Sequence, residues 1–128
     1  MVKEEHRWES TRYLNKAEEF LTAANLSLRQ SLFNVAAFNA IQSIINANDS
    51  LTVSILGKRA STDHQEAMSV HLQTVRKIQD SSMRSVLNEA LKSRSRVGYS
   101  GEIVKKDEAE KLLKNATLFL SWIKNYVK

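Results

Sequence analysis

Few side chains in this sequence are placed to do chemistry. It contains three histidines, His6, His64 and His71, and no cysteine. Cleaving RNA through its 2′-hydroxyl needs a base for that proton and a cation for the charge developing on the phosphate. His64, paired with Arg59 or with Arg94, supplies one of each. His64 also has an ordinary role, helping to cap a helix in its first turn. There the helix dipole disfavours the imidazolium form, which suits a base and not a phosphate clamp. His64 and His71 lie about two turns, roughly 10 Å, apart on a helix, too far to share a metal ion. No His-x-x-x-His, Glu-x-x-His or Asp-x-Asp spacing occurs, so no metal site is expected. Glu18-Glu19 and Asp107-Glu108 are neighbouring carboxylates, but adjacent helical positions point about 100° apart, so neither pair forms an acid–base couple. Gly98-Tyr99-Ser100-Gly101 lacks the preceding strand of a phosphate-cradling loop and reads as a turn, so no cofactor is expected.

Binding chemistry is better represented. Arg94, Arg96 and Lys105 bracket Tyr99, and Arg84 and Lys92 extend the same basic stretch. An aromatic ring among cations can stack a base while the cations hold phosphate. The plainer alternative is a solvated face with Tyr99 packed on the protein. The net charge of +5, from 19 Lys and Arg against 14 Asp and Glu, permits a polyanionic partner. Its excess lies after residue 57. Many basic proteins of this size bind no nucleic acid, so charge alone does not decide the matter.

A chain of 128 residues is expected to form one domain over 1–128 with a core of its own. Proline is absent and glycine occurs three times, which removes most of the turn chemistry an all-β fold needs. No apolar run is long enough to cross a membrane, and MVKEEHRWES has no apolar signal region, so a cytoplasmic protein is expected. The lack of cysteine fits a reducing compartment.

Helical periodicity runs through most of the chain. Tyr13, Ala17, Phe20, Leu21, Ala24 and Leu28 predict a first helix over about Ser10–Gln30. Trp8 is expected to pack at its start, after a mobile terminus holding His6. Ser31 is expected to cap a second helix over Leu32–Leu56, which Gly57 ends. This helix is apolar on most sides in its first half, so neighbours should surround it. Its second half carries Asn46, Asn48, Asp49, Ser50, Thr52 and Ser54. That polar side, uncharged but for Asp49, motivates the expectation of a homodimer.

Lys58–Asp63 is expected to be a loop. Thr62 with Gln65, or Asp63 with Glu66, forms a capping box for a third helix with Ala67, Val70, His71, Val75 and Ile78 inward. Asp80-Ser81-Ser82 reads as a stop and a new start. A fourth helix follows with Met83, Val86, Leu87, Ala90 and Leu91 inward and Arg84, Asn88, Lys92 and Arg96 along an adjoining strip. Residues 93–103 read as the longest break. A fifth helix starts near Lys105, with Asp107, Glu108 and Glu110 at its positive end and Lys124 and Lys128 at the other. The expectation is an all-α, up-down bundle of about five helices.

Three stretches carry a family resemblance. AAFNAIQSIINANDSLTVSILG (36–57) resembles the long second helix of the HEPN domain, the higher eukaryotes and prokaryotes nucleotide-binding family. STDHQEAMSVHL (61–72) resembles the segment that follows it, and ALKSRSRVGYSGEIVKKDEAEKLLKNATLFLSWI (90–123) resembles its ending. The resemblance implies a helical bundle that usually dimerises and a connection to nucleotides or RNA. Many members are metal-independent ribonucleases with a late Arg-x(4–6)-His motif. Here the matching position is Arg94 or Arg96, followed by Val97-Gly98-Tyr99, and no histidine occurs after His71. The literal pattern occurs at Arg59–His64, ahead of the third helix.

Three readings follow. The first is a non-catalytic module that binds nucleotide or RNA, or partners an antitoxin-type or nucleotidyltransferase protein in a toxin–antitoxin or defence-like system. The second is a ribonuclease using Arg59, His64 and Arg94. The third is a dimerisation bundle with no ligand.

Overall fold

A computed structural model describes residues 1–61 and 63–127. Among them are five α-helices: α1 (Ser10–Arg29), α2 (Phe33–Leu56), α3 (His64–Ile78), α4 (Arg84–Tyr99) and α5 (Lys106–Ile123). A single 3₁₀ turn, Arg7–Glu9, precedes α1. A short ribbon of β1 (Val2–Glu4) and β2 (Lys58–Ala60) completes the fold. The expected all-α bundle is present, with α2 at its centre, packed on the other four helices.

The closest packing is between α1 and α2, and small residues make it so. Ser10, Ala17 and Ala24 recur every seven residues on α1, and Ala36, Ala40, Ser43, Ala47 and Ser50 face them from α2. The Ser43 hydroxyl donates to the Ala17 carbonyl and the Ser50 hydroxyl to the Ser10 carbonyl, both at 2.8 Å. These bonds fix an antiparallel register in which the same step sets Ala24 opposite Ala36. Small residues on both helices let the backbones come close enough for serine hydroxyls on α2 to reach carbonyls of α1. The buried hydroxyls are satisfied across this contact, so no polar atom is stranded.

Ser31 does not cap α2. It takes positive φ (60°) and ends α1: its N–H bonds the Leu28 carbonyl at 3.0 Å, and that of Leu32 bonds Ser27 at 2.9 Å. This is a Schellman closure, in which a left-handed residue satisfies orphan carbonyls of the preceding helix. Gly57 ends α2 with φ 69°, as its sequence position predicts.

The stretch after Gly57 is not a plain loop. Val2 pairs with Ala60, Lys3 with Arg59 and Glu4 with Lys58 in an antiparallel ribbon, so the expected mobile terminus is tied down. Trp8 does not pack in the core. It is 64% exposed, with His6 stacked parallel to it and the Arg12 guanidinium 5.2 Å from its ring. Asp63 caps α3, its carboxylate accepting from the N–H groups of Gln65 at 2.7 Å and Glu66 at 3.3 Å. The Thr62 alternative and the Lys128 dipole contact lie outside the described residues.

The expected break at 93–103 is also corrected, because α4 continues to Tyr99. Gly98 costs helix propensity, but it lets α4 lie against Phe38, where an added Cβ would sit 2.8 Å from the ring. Val97 is buried beside it, so packing outweighs local preference. The polar side of α2 turns inward as well: Asn48, Ser50 and Thr52 are buried within the chain and cannot form a dimer face.

Two polar contacts pin the lower core. Asp80, in the α3–α4 turn, accepts from Trp122 Nε1 at 2.8 Å, from the Tyr126 hydroxyl and from Ser82. Hydrogen bonds from Ser82, Tyr126 and Trp122 hold its carboxyl well below the usual range. His71 is fully buried, its Nδ1–H donating to Asn48 Oδ1 at 2.8 Å, while its Nε2 has no partner. Burial, with Arg84 adding repulsion, pushes its pKa down to about 4 from 6.5.

Gly98→Ala should destabilise the protein by about 1–3 kcal/mol in urea unfolding, with Phe38→Leu restoring part of the loss. The His71 shift carries a signed pH dependence. Because the folded pKa lies below the unfolded one, this stabilising contribution is whole above pH 6.5 and is lost as pH falls toward 4. The full effect is on the order of 3 kcal/mol. Wild type should therefore lose more stability than His71→Gln between those pH values, and parallel profiles would refute the shift.

Candidate functional site

Arg84, Asn88, Lys92 and Arg96 step by four along α4, and Tyr99 falls on the same side, within an arc of about 120°. The ridge they form is about 22 Å long. Arg84 and Lys92 are exposed, and Tyr99 is 77% exposed, edge-on to Phe38 with ring centroids 6.4 Å apart. Lys105 is exposed at the N-cap of α5, and its helix is joined to α4 through Arg96 and Glu108. Arg96 is thus less available than its neighbours. It binds Glu108 through both guanidinium nitrogens and lies 3.5 Å from Glu102.

Arg94 does not join this ridge. It stands two positions from both Lys92 and Arg96, which turns it about 160° away around the helix. There it lines a cavity of about 20 Å³ with Asn48, Asp49, Ser61 and Asp63. That volume suits about one water molecule. A larger groove of about 490 Å³ runs between α4 and α5, but Glu89, Asp107 and Glu108 face Lys92 and Lys111 across it. Mixed charge of this kind does not make a phosphate seat. Among the described residues no group of three His, Asp or Glu could hold a metal ion.

Arg59 and His64 are both engaged. The Arg59 Nε donates to Glu5 at 2.6 Å, its Nη1 lies 4.0 Å from Asp49, and its guanidinium sits 5.2 Å from the Tyr13 ring. The His64 Nε2 is 2.9 Å from Asn88 Oδ1, which fixes the ring against α4. Arg59, Asp63 and Arg94 therefore gather at one corner, where β2, the start of α3 and α4 meet α2.

Sequence reading missed two members of this corner. Asp49 lies on α2, and burial pushes its carboxyl up to about 7, with Arg59 pulling it down and Glu5 adding to the rise. Tyr13 donates to Glu5, and burial together with that bond raises its hydroxyl to about 12. The only available signal was Asp49 itself, the sole charge within an otherwise uncharged helix. Its partners come from residues 5, 13 and 59, and no local pattern links them.

The Asp49 shift works against stability as pH rises. A carboxyl with a raised folded pKa carries no penalty below about 3.8 and a growing one up to about 7. Asp49→Asn should therefore raise the thermal midpoint at pH 8 while leaving it almost unchanged at pH 4. A lowered midpoint at pH 8 would mean that attraction to Arg59 outweighs the loss of hydration.

No curated protein matches the chain. A family model does, over residues 10–126, and it is that of the HEPN domain. The match takes in all five helices, the α4 ridge and, apart from Glu5, the Asp49 corner. The chain belongs to the HEPN domain family.

Proposed function

We propose that this chain is a non-catalytic HEPN module that binds RNA or nucleotide along the outer ridge of α4 and works as a homodimer in the cytoplasm. The observation supporting this is the alignment of Arg84, Lys92 and exposed Tyr99 on one solvent-facing side of a single helix. Cations at one end of the ridge hold phosphates, and the phenol ring at the other offers a face for one base. Lys105 extends the positive charge past that end. Arg96 contributes less because Glu108 already neutralises it. Arg94 contributes to the inner corner instead.

On this reading any chemistry comes from a partner protein, of the antitoxin or nucleotidyltransferase type, in a toxin–antitoxin or defence-like setting. The engagement of Arg59 by Glu5 and of His64 by Asn88 supports assigning those residues to holding the fold. A ribonuclease built on them is therefore the second reading, and the same experiment separates the two.

Fluorescence anisotropy with a labelled single-stranded RNA, titrated over salt, tests the proposal. Arg84→Ala with Lys92→Ala should weaken binding about tenfold or more and lower the salt slope by about 1.4, from two lost phosphate contacts. Tyr99→Ala should cost about 1–3 kcal/mol with the slope unchanged. Binding untouched by the double variant sinks the ridge. Cleavage of the probe that His64→Ala abolishes sinks the non-catalytic reading, and a dimer that binds no RNA leaves a scaffold.

A further inference from the structure

Residues 1–9 precede the stretch that matches the family, which begins at residue 10, so they lie outside the matched domain. Trp8 is the side chain that stands out there. Buried aromatic residues each cover about 150–250 Å², yet Trp8 leaves 64% of its surface in water. It is held in place all the same. The 3₁₀ turn that carries it packs on α1 and α2, and β1 before it is paired to β2. Glu9 braces the turn: its carboxylate accepts from the His6 N–H at 3.2 Å and lies 3.5 Å from Arg12. His6 and Arg12 in turn flank the indole, the imidazole within 9° of parallel and the guanidinium 5.2 Å from the ring centroid. Atoms in contact stand about 3.5–4.0 Å apart. With centroids 6.0 Å apart, His6 overlaps the indole in part, and flat surface is left open.

The charges around this ring are sorted by direction. Residues 1–12 hold three Lys and Arg against three Glu, so their formal charges cancel. Glu5 is turned inward onto Arg59 and Tyr13, and the Glu9 side chain is 20% exposed. Glu4, which is exposed, stands opposite Lys58 in the ribbon. Lys3, His6, Arg7 and Arg12 face solvent. The outer side of the turn is therefore mostly cationic.

We propose that Trp8 is a stacking platform for an unpaired base of single-stranded RNA, with Lys3 and Arg7 on the flanking phosphates. This rests on the RNA reading and adds a second foothold, on a different element from the α4 ridge. A base offers a flat π face like those of the imidazole and guanidinium already beside the indole, and RNA bases stack on such groups. Lys3 and Arg7 favour a polyanion over an apolar protein face, which would have to strip them of water. A duplex does not fit, because its bases are stacked on one another.

Intrinsic fluorescence tests this directly, because the only other tryptophan, Trp122, is buried. A short unlabelled single-stranded RNA, with excitation where bases do not absorb, should quench the full chain. The quenching should saturate where anisotropy does. Trp8→Phe should keep most of the affinity and lose the quenching, leaving the Trp122 signal alone. Trp8→Ala should weaken binding about fivefold or more with an unchanged salt slope. Lys3→Ala with Arg7→Ala should lower that slope by about 1.4. Should a variant fail to fold, as judged by helical circular dichroism, wild-type quenching still decides. RNA that binds without quenching Trp8 overturns the platform and leaves the ridge standing. Equal quenching by a duplex of the same sequence, or quenching with no loss of affinity in Trp8→Ala, overturns it too. A wild type that binds no RNA overturns the RNA reading itself, and the platform with it.

Discussion

The structure depends first on how closely α1 and α2 approach one another. Small residues every three or four positions along α2 meet serine and alanine every seventh position along α1, and two hydroxyl-to-carbonyl bonds lock the register. Moving α1 by one turn would bring Leu14, Leu21 and Leu28 to where Ser10, Ala17 and Ala24 now sit, holding the helices too far apart for those hydroxyls to reach a facing carbonyl. With α1 held on that face, the larger side chains of α2 (Ile41, Ile44 and Leu51) have to be covered by α5 and its neighbours. The same contact carries the chain's first residues back beside the end of α2, where Glu5 and Tyr13 meet Arg59 and Asp49.

Much of this was legible in the sequence, and the misses have physical causes. Helical periodicity identified all five helices, since each buries one stripe and exposes another. Gly57 and the acidic start of α5 marked their ends through local conformational and dipole preferences. What escaped was set by distant contacts. β1 and β2 pair across more than fifty residues, and three-residue strands leave no periodic trace. Gly98 and the serines around it argue for a break until Phe38 supplies the surface that the glycine fits. Ser31 has the chemistry of an N-cap but serves the helix before it, because its backbone turns left-handed.

The candidate binding residues show the same division. Sequence reading breaks the helix at residue 93 and groups Arg94 with Arg96 and Tyr99; once α4 continues to Tyr99, helical spacing aligns Arg84, Lys92, Arg96 and Tyr99 and turns Arg94 away from them. Spacing does not show that Glu108 and Glu102 occupy Arg96, because that depends on where α5 begins relative to α4. Nor does it show that Asp49 is largely covered and shares a small cavity with Arg94. A polar residue on a central helix could have faced solvent or a partner, and only the packing of the ribbon and α4 decides.

The β ribbon has a consequence for the protonation of that aspartate. Three residue pairs hold β1 to β2, and all three β1 residues are exposed, so β1 can lift while β2, which carries Arg59, stays on the bundle. Lifting β1 withdraws Glu5, and the guanidinium it occupied is then left to Asp49 alone. A carboxyl poised near neutrality would then ionise more readily. The proton occupancy of a group deep on α2 is in this way coupled to whether the first nine residues are docked, although none of them touches it through a hydrogen bond.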